Sequence, residues 1–142
     1  MLVTGLRLDA QDLWTIAQTA WGEARGEGSP GIYAVAWVIR NRYDFHPRWR
    51  NKPLMAICCA PMQFSCWNPR DPNLNKIRSL SLDNREFVVC LQAAVEVMGG
   101  VVAPAVGRAT HYYADLIPPP VWAEGHEPVA IVGHHRFYEG IA

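Results

Sequence analysis

The chain has 142 residues, 50% of them hydrophobic and 18% charged. That is enough apolar material for one domain with a real core, too little for two, and it excludes a disordered chain. Its 13 basic and 13 acidic side chains cancel to zero net charge, which removes the bulk electrostatic basis for a nucleic-acid or anionic-membrane partner. No apolar run reaches membrane-spanning length.

Residues Met1 to Asp9 lack a basic stretch followed by a long apolar one, and Asp9 and Asp12 interrupt the place where a signal core would lie. The expectation is a protein made in the cytoplasm that reaches any outside substrate after release. Asp9 then caps a helix whose apolar positions Leu13, Ile16, Ala17, Ala20 and Trp21 recur at helical spacing, with Gly22 and Gly26 bracketing its end. Ser29-Pro30 reads as N-cap and first helical residue of a second helix running to Arg42. This helix is apolar on nearly every side, as a central buried helix would be.

Asp44 to Ser79 is rich in Pro, Asn and Arg, with Leu54 to Cys58 as a short helix. A loop region this long in a compact domain is commonly functional. A third long helix is expected to open at Ser81 or Asp83. Its inner face would carry Phe87, Leu91, Ala94, Val95 and Met98, and Gly99-Gly100 would end it. Beyond it, Ala109 to Ala114, Val129 to Val132 and His134 to Tyr138 read as strands, with the turn Pro118-Pro119-Pro120 between the first two. Residues 1–142 thus form one α+β domain, mainly helical with a small antiparallel sheet at the C-terminal end. Cys58, Cys59, Cys66 and Cys90 lack zinc spacing and read as free thiols, with a Cys59–Cys66 bridge as the alternative in an oxidising compartment.

The chemistry centres on Trp21-Gly22-Glu23-Ala24-Arg25-Gly26-Glu27. Glu23 stands where a helix gives out into glycine, held by a rigid element on one side and open to a cleft on the other. With Trp21 helping to keep it partly dry, it can donate a proton near neutral pH, the general-acid requirement in glycoside cleavage. Glu27, near the start of the second helix, reads foremost as structural support, paired with Arg25, Arg40 or a backbone amide. The reading that competes is a second catalytic carboxylate.

Gln63 and Ser65 are polar positions in an apolar block, suited to hydrogen-bonding an N-acetyl group or sugar hydroxyls. A turn in which Ser65 bonds its own backbone fits them equally. Trp67 is read as core rather than as a sugar-stacking face. On the first strand His111 and Tyr113 share one face and Tyr112 takes the other. Tyr112 is the candidate for the cleft, with His111 as a hydrogen-bonding partner and Trp122 as an edge of the groove.

Four segments together carry a resemblance: Gly22 to Glu27, Pro61-Met62-Gln63-Phe64-Ser65-Cys66-Trp67, Ala109-Thr110-His111-Tyr112-Tyr113, and Ile131-Val132-Gly133-His134-His135-Arg136-Phe137-Tyr138. In this order and at these separations the chain resembles the catalytic domain of the SleB-type cell wall hydrolases, from about Leu13 to Tyr138. That family includes spore-cortex-lytic enzymes and phage and prophage lysins. The resemblance implies a lysozyme-like, mostly helical fold acting on peptidoglycan glycan strands. It also implies lytic transglycosylase chemistry with a single catalytic glutamate at the position of Glu23. The missing signal core and the lack of a separate wall-binding domain depart from the secreted spore enzymes, and the expectation drawn from them is a phage- or prophage-type lysin (an endolysin) released through a membrane lesion or packaged in a particle.

Such an enzyme needs no cofactor and no metal, and a monomer is expected. One acid suffices, because the C6 hydroxyl of the muramic acid, not water, attacks the anomeric carbon. An inverting hydrolase would need a second carboxyl roughly 6.5–9.5 Å away and a retaining one at about 5–5.5 Å. The runner-up is a metal-dependent amidase using His111, His126, His134 and His135 with Glu124 and Glu127. No H-E-x-x-H motif supports it, and the adjacent His134 and His135 would point to opposite faces of a strand. A peptidoglycan-binding module without catalysis is the third reading.

Overall fold

The structure, a computed structural model, describes residues 8–142. The segment read above for a signal core lies outside it as far as residue 7. Helix α1 (Ala10–Ala24) opens with a reciprocal cap: Asp9 Oδ1 accepts from the Asp12 amide at 2.8 Å, and Asp12 Oδ2 accepts from the Asp9 amide at 3.2 Å. A 3-10 turn, Arg25–Glu27, leads directly into α2 (Gly28–Phe45). Ser29 therefore does not cap α2. Gly28, at φ 74°, makes the turn that a residue with a Cβ resists, and the helix starts there, one residue ahead of the Ser-Pro pair.

The middle of α2 is the buried central helix, with Ala34 to Arg42 all inside. The middle segment of the chain, expected to be mostly irregular, holds two short helices, α3 (Leu54–Cys59) and α4 (Asn73–Arg78), around a 3-10 turn at Ser65–Trp67.

Helix α5 (Arg85–Gly99) is capped by Asn84, whose side chain accepts from the Phe87 amide at 3.0 Å, and not by Ser81 or Asp83. It ends at Gly100 in the left-handed conformation, φ 71°. Its buried face is Phe87, Cys90, Ala93, Ala94, Val97 and Met98, while Val95 is exposed and Leu91 only partly covered. The expected stripe was thus rotated. Small Cys90 and Ala93 let α5 lie close on its neighbours, which a stripe scored for bulk passes over. Helices α1, α2 and α5 pack mutually into one core with Ile16, Val35, Ile39, Phe87 and Val97 inside.

The chain then forms β1 (His111–Ala114), β2 (Ala130–Val132) and β3 (His135–Tyr138), an antiparallel sheet in the order β1-β3-β2. Tyr112 stands opposite Phe137, and Ala114 opposite His135. The inner face therefore carries Tyr112, His135 and Phe137.

Polar side chains of α2 fix this sheet. The Asn41 amide donates to the Gly107 and Ala109 carbonyls at 2.9 Å each, and Arg42 Nε donates to the Thr110 carbonyl at 2.7 Å. The strand bearing Tyr112 is thereby registered against the central helix. Among the described residues no helix is long and apolar enough to cross a membrane.

Candidate active site

Glu23 lies in the last turn of α1, half-buried, on the wall of a cleft of ≈ 420 Å³. Gly22 makes the site possible. A Cβ on it would meet Cys66 Cβ at 2.6 Å and Sγ at 2.8 Å, so only a glycine lets the Ser65–Trp67 turn lie directly on the helix. The same turn is tied down by Trp67, whose indole N–H donates to Thr19 Oγ1 of α1 at 2.9 Å. With the turn held there, the Cys66 amide donates to Glu23 Oε2 at 3.2 Å and Ser65 Oγ to the same oxygen at 3.4 Å.

The other carboxylate oxygen, Oε1, accepts from the Tyr112 hydroxyl at 2.6 Å. Burial first, and then the Glu23 charge beside it, push the Tyr112 phenol well above its ordinary pKa, so it stays a donor. Three donors from two separate segments converge on one carboxylate, which suits the ionised form left after a proton has gone to a leaving oxygen. Glu23 is the only acid among the described residues that line the cleft.

Gln63 lines the cleft too, its Oε1 accepting from Arg42 Nη1 at 3.3 Å. Arg42, absent from the sequence-derived site, is 3% exposed yet forms part of the cleft wall. Its guanidinium stacks on Trp49 at 4.2 Å and Phe64 at 4.8 Å, and burial lowers its pKa to about 10. It remains a cation at neutral pH, a fixed positive charge near Glu23. His135, considered from sequence only as a metal ligand, and Tyr113 also line the cleft.

His111 and Trp122 do not. His111 packs against Trp49 and His46 and is bonded to Thr110 Oγ1, and burial lowers its pKa to about 4. Trp122 packs edge-on against Tyr138 and Tyr113 in a small second core behind the sheet. The structure thus brings together Glu23, Gln63, Ser65 and Tyr112, and leaves His111 and Trp122 outside the cleft. Trp21, expected to shield Glu23, lies away from it under the Arg25 guanidinium at 3.9 Å.

Glu27 is engaged by a backbone amide, that of His134 at 3.3 Å, whereas Arg25 bonds Asn73 and Arg40 pairs with Asp44. Its carboxylate occupies the space above Gly133, where a Cβ would collide with it. Glu27 therefore clamps the β2–β3 turn against the start of α2.

Among the described residues no three His, Cys, Asp or Glu side chains gather as a metal site would require, so the set around His111, His126, His134 and His135 does not converge. His134 is exposed and pairs with Asp115 at 3.4 Å, while His135 is buried. All four cysteines are free, Cys59 and Cys66 included.

Comparison with solved structures gives the same architecture. The catalytic domain of the germination-specific lytic transglycosylase SleB from Bacillus anthracis superposes with a TM-score of 0.71 at 21% identity, over 97% of this chain and 100% of that one. The catalytic domain of the Bacillus cereus SleB protein gives 0.70 at 22% identity, over 97% and 95%. At that identity the likeness establishes the fold. No curated protein sequence matches. A family model described as cell wall hydrolase matches residues 26–138, beginning just past Glu23 and taking in Arg42, the Gln63–Trp67 block, Tyr112 and His135. With most of its length matched in this way, the chain belongs to the cell wall hydrolase family.

Proposed function

We propose that the protein cleaves the β-1,4 bond between N-acetylmuramic acid and N-acetylglucosamine in peptidoglycan glycan strands, as a lytic transglycosylase with Glu23 as its one catalytic carboxyl. The protonated Glu23 gives its proton to the glycosidic oxygen, and the bond from that oxygen to the muramic C1 breaks. The muramic C6 hydroxyl then attacks C1, its proton returns to the Glu23 carboxylate, and a 1,6-anhydro ring closes. Between the two transfers the Tyr112 hydroxyl and the Cys66 amide hold the carboxylate, as preorganised donors to a charge that develops during the reaction.

The observation that carries this reading is the solitary acid: a cleft lined by Glu23, with no second acid among the described residues that line it. Either hydrolytic route calls for a partner carboxyl. Family membership supports wall degradation, and the two SleB domains named above support the choice of a glycan over a peptide bond. Action as a monomer, in a phage or prophage setting after release from the cytoplasm, belongs to the same proposal.

Mass spectrometry of purified sacculi digested with the protein tests it. Anhydro-muropeptides are expected. Ordinary reducing ends would make water the acceptor, and freed stem peptides would make the enzyme an amidase.

A further inference from the structure

His135 is 6% exposed, lines the Glu23 cleft, and has neither ring nitrogen hydrogen-bonded among the described residues; Nδ1 is fully buried without a partner. Buried polar atoms are nearly always satisfied, so an unmet one at a cleft asks for an explanation. The chain's other buried histidine shows what a structural role looks like. His46 Nε2 is bonded to the Ile141 carbonyl at 3.0 Å, and its Nδ1 accepts from the Arg48 amide at 3.1 Å. His135 ties nothing together through its nitrogens. Only its ring packs, edge-on to Tyr112 at 4.9 Å and to Phe137 at 6.2 Å.

Resting on the proposed glycan-cleaving function, we propose that His135 is a substrate-contacting residue of the cleft, its imidazole hydrogen-bonding a hydroxyl or acetamido group of the bound saccharide. Tyr112 links the two halves of the site, since its ring abuts His135 while its hydroxyl reaches Glu23.

The charges facing the imidazole are Glu23 and Glu27, which favour its protonated form, with Asp115 acting the same way and His134 against it; Arg42 shares the cleft wall. Burial outweighs them and lowers its pKa, so the ring is neutral at neutral pH. A neutral imidazole offers one donor and one acceptor, which matches an uncharged hydroxyl or amide and not the carboxylates of a stem peptide. The ring is aimed by β3, and β3 by the turn that Glu27 clamps through the His134 amide.

His135→Phe keeps the ring packing and removes both nitrogens, and His135→Gln restores a donor and an acceptor. The Phe variant should melt at or above the wild-type temperature, because it sheds an unmet buried group. Its kcat/KM on sacculi should nevertheless fall about ten-fold, the loss of one neutral hydrogen bond, with part recovered in the Gln variant.

Titration with N-acetylchitotetraose, followed by the imidazole 15N signals, reads the contact without cleavage. The His135 signals should move in the wild type, and the Phe variant should bind about ten-fold more weakly. Wild-type affinity and turnover in the Phe variant would overturn the proposal, as would lost activity accompanied by a lowered melting temperature. A wild type that binds through His135 but releases no glycan fragment would instead overturn the cleavage reading and leave this contact standing.

Discussion

The Tyr112 hydroxyl and Glu23 Oε1 are 2.6 Å apart, a link between the sheet and the helix that carries Glu23. A hydrogen bond to an ionised partner contributes about 1.5–3 kcal/mol. If the bond serves the carboxylate formed during the reaction, Tyr112→Phe should lower turnover on sacculi by roughly 10- to 100-fold with the fold intact. Initial rates compared at matched circular dichroism check this, and an unchanged rate would contradict the assignment. Strand alternation set Tyr112 on the opposite face from His111 and Tyr113, but it could not say which face meets the cleft, and Tyr113 lines the cleft as well.

Arg42 and His135 were not legible. Arg42 reads as an ordinary polar residue near a helix end, and only its tertiary bonds to Thr110 and Gln63 disclose its place. Trp21 misled for a geometric reason. Two residues along a helix is about 200° of rotation, so it faces away from Glu23.

At the scale of elements the site is a crossing of helix, turn and strand, and Gly22 sets the crossing distance. Gly22→Ala ought to gain about 1 kcal/mol in helix propensity. The collision with Cys66 Cβ, at 2.6 Å, allows no such gain, and forced repacking costs about 1–3 kcal/mol. The variant should melt a few degrees lower and lose more than about ten-fold in rate as the Cys66 amide leaves Glu23. Thermal melts and sacculus clearing measure both, and a wild-type melt with a wild-type rate would refute the crossing as described.

Element order and type were readable from periodicity and punctuation. The starts of α2 and α5 were not, because Ser29 and Ser81 look like caps while Gly28 and Asn84 mark the starts. Of the two short helices in the middle segment, α3 falls where the apolar run Leu54 to Cys58 placed it, whereas the six residues of α4 are too few for a periodic signal.

For the molecule as a whole, the main helical core supports a cleft at its edge, and the thiols report on how closed that core is. Burial pushes the Cys58 and Cys90 thiols up to about 12, and burial together with the Glu23 charge pushes Cys66 up as well. Cys59 alone among the four is exposed. Iodoacetamide on the native protein should therefore modify Cys59 and spare the other three until denaturant is added, as peptide mass mapping would show. Early modification of Cys66 would mean that the turn beside Glu23 opens.

The family was visible as four separated motifs. The way they meet was not, since Asn41 and Arg42 join α2 to the backbone before β1 across more than sixty positions of sequence.

Replacing Glu23 with Gln keeps the side chain's shape and removes its ability to give or take a proton. The variant should retain the wild-type melting curve and release no measurable soluble muropeptide from sacculi over a time in which the wild type clears them. Retention of more than about a few per cent of wild-type release, against the loss of several orders of magnitude expected for a sole acid–base, would contradict the assignment of the chemistry to this carboxyl.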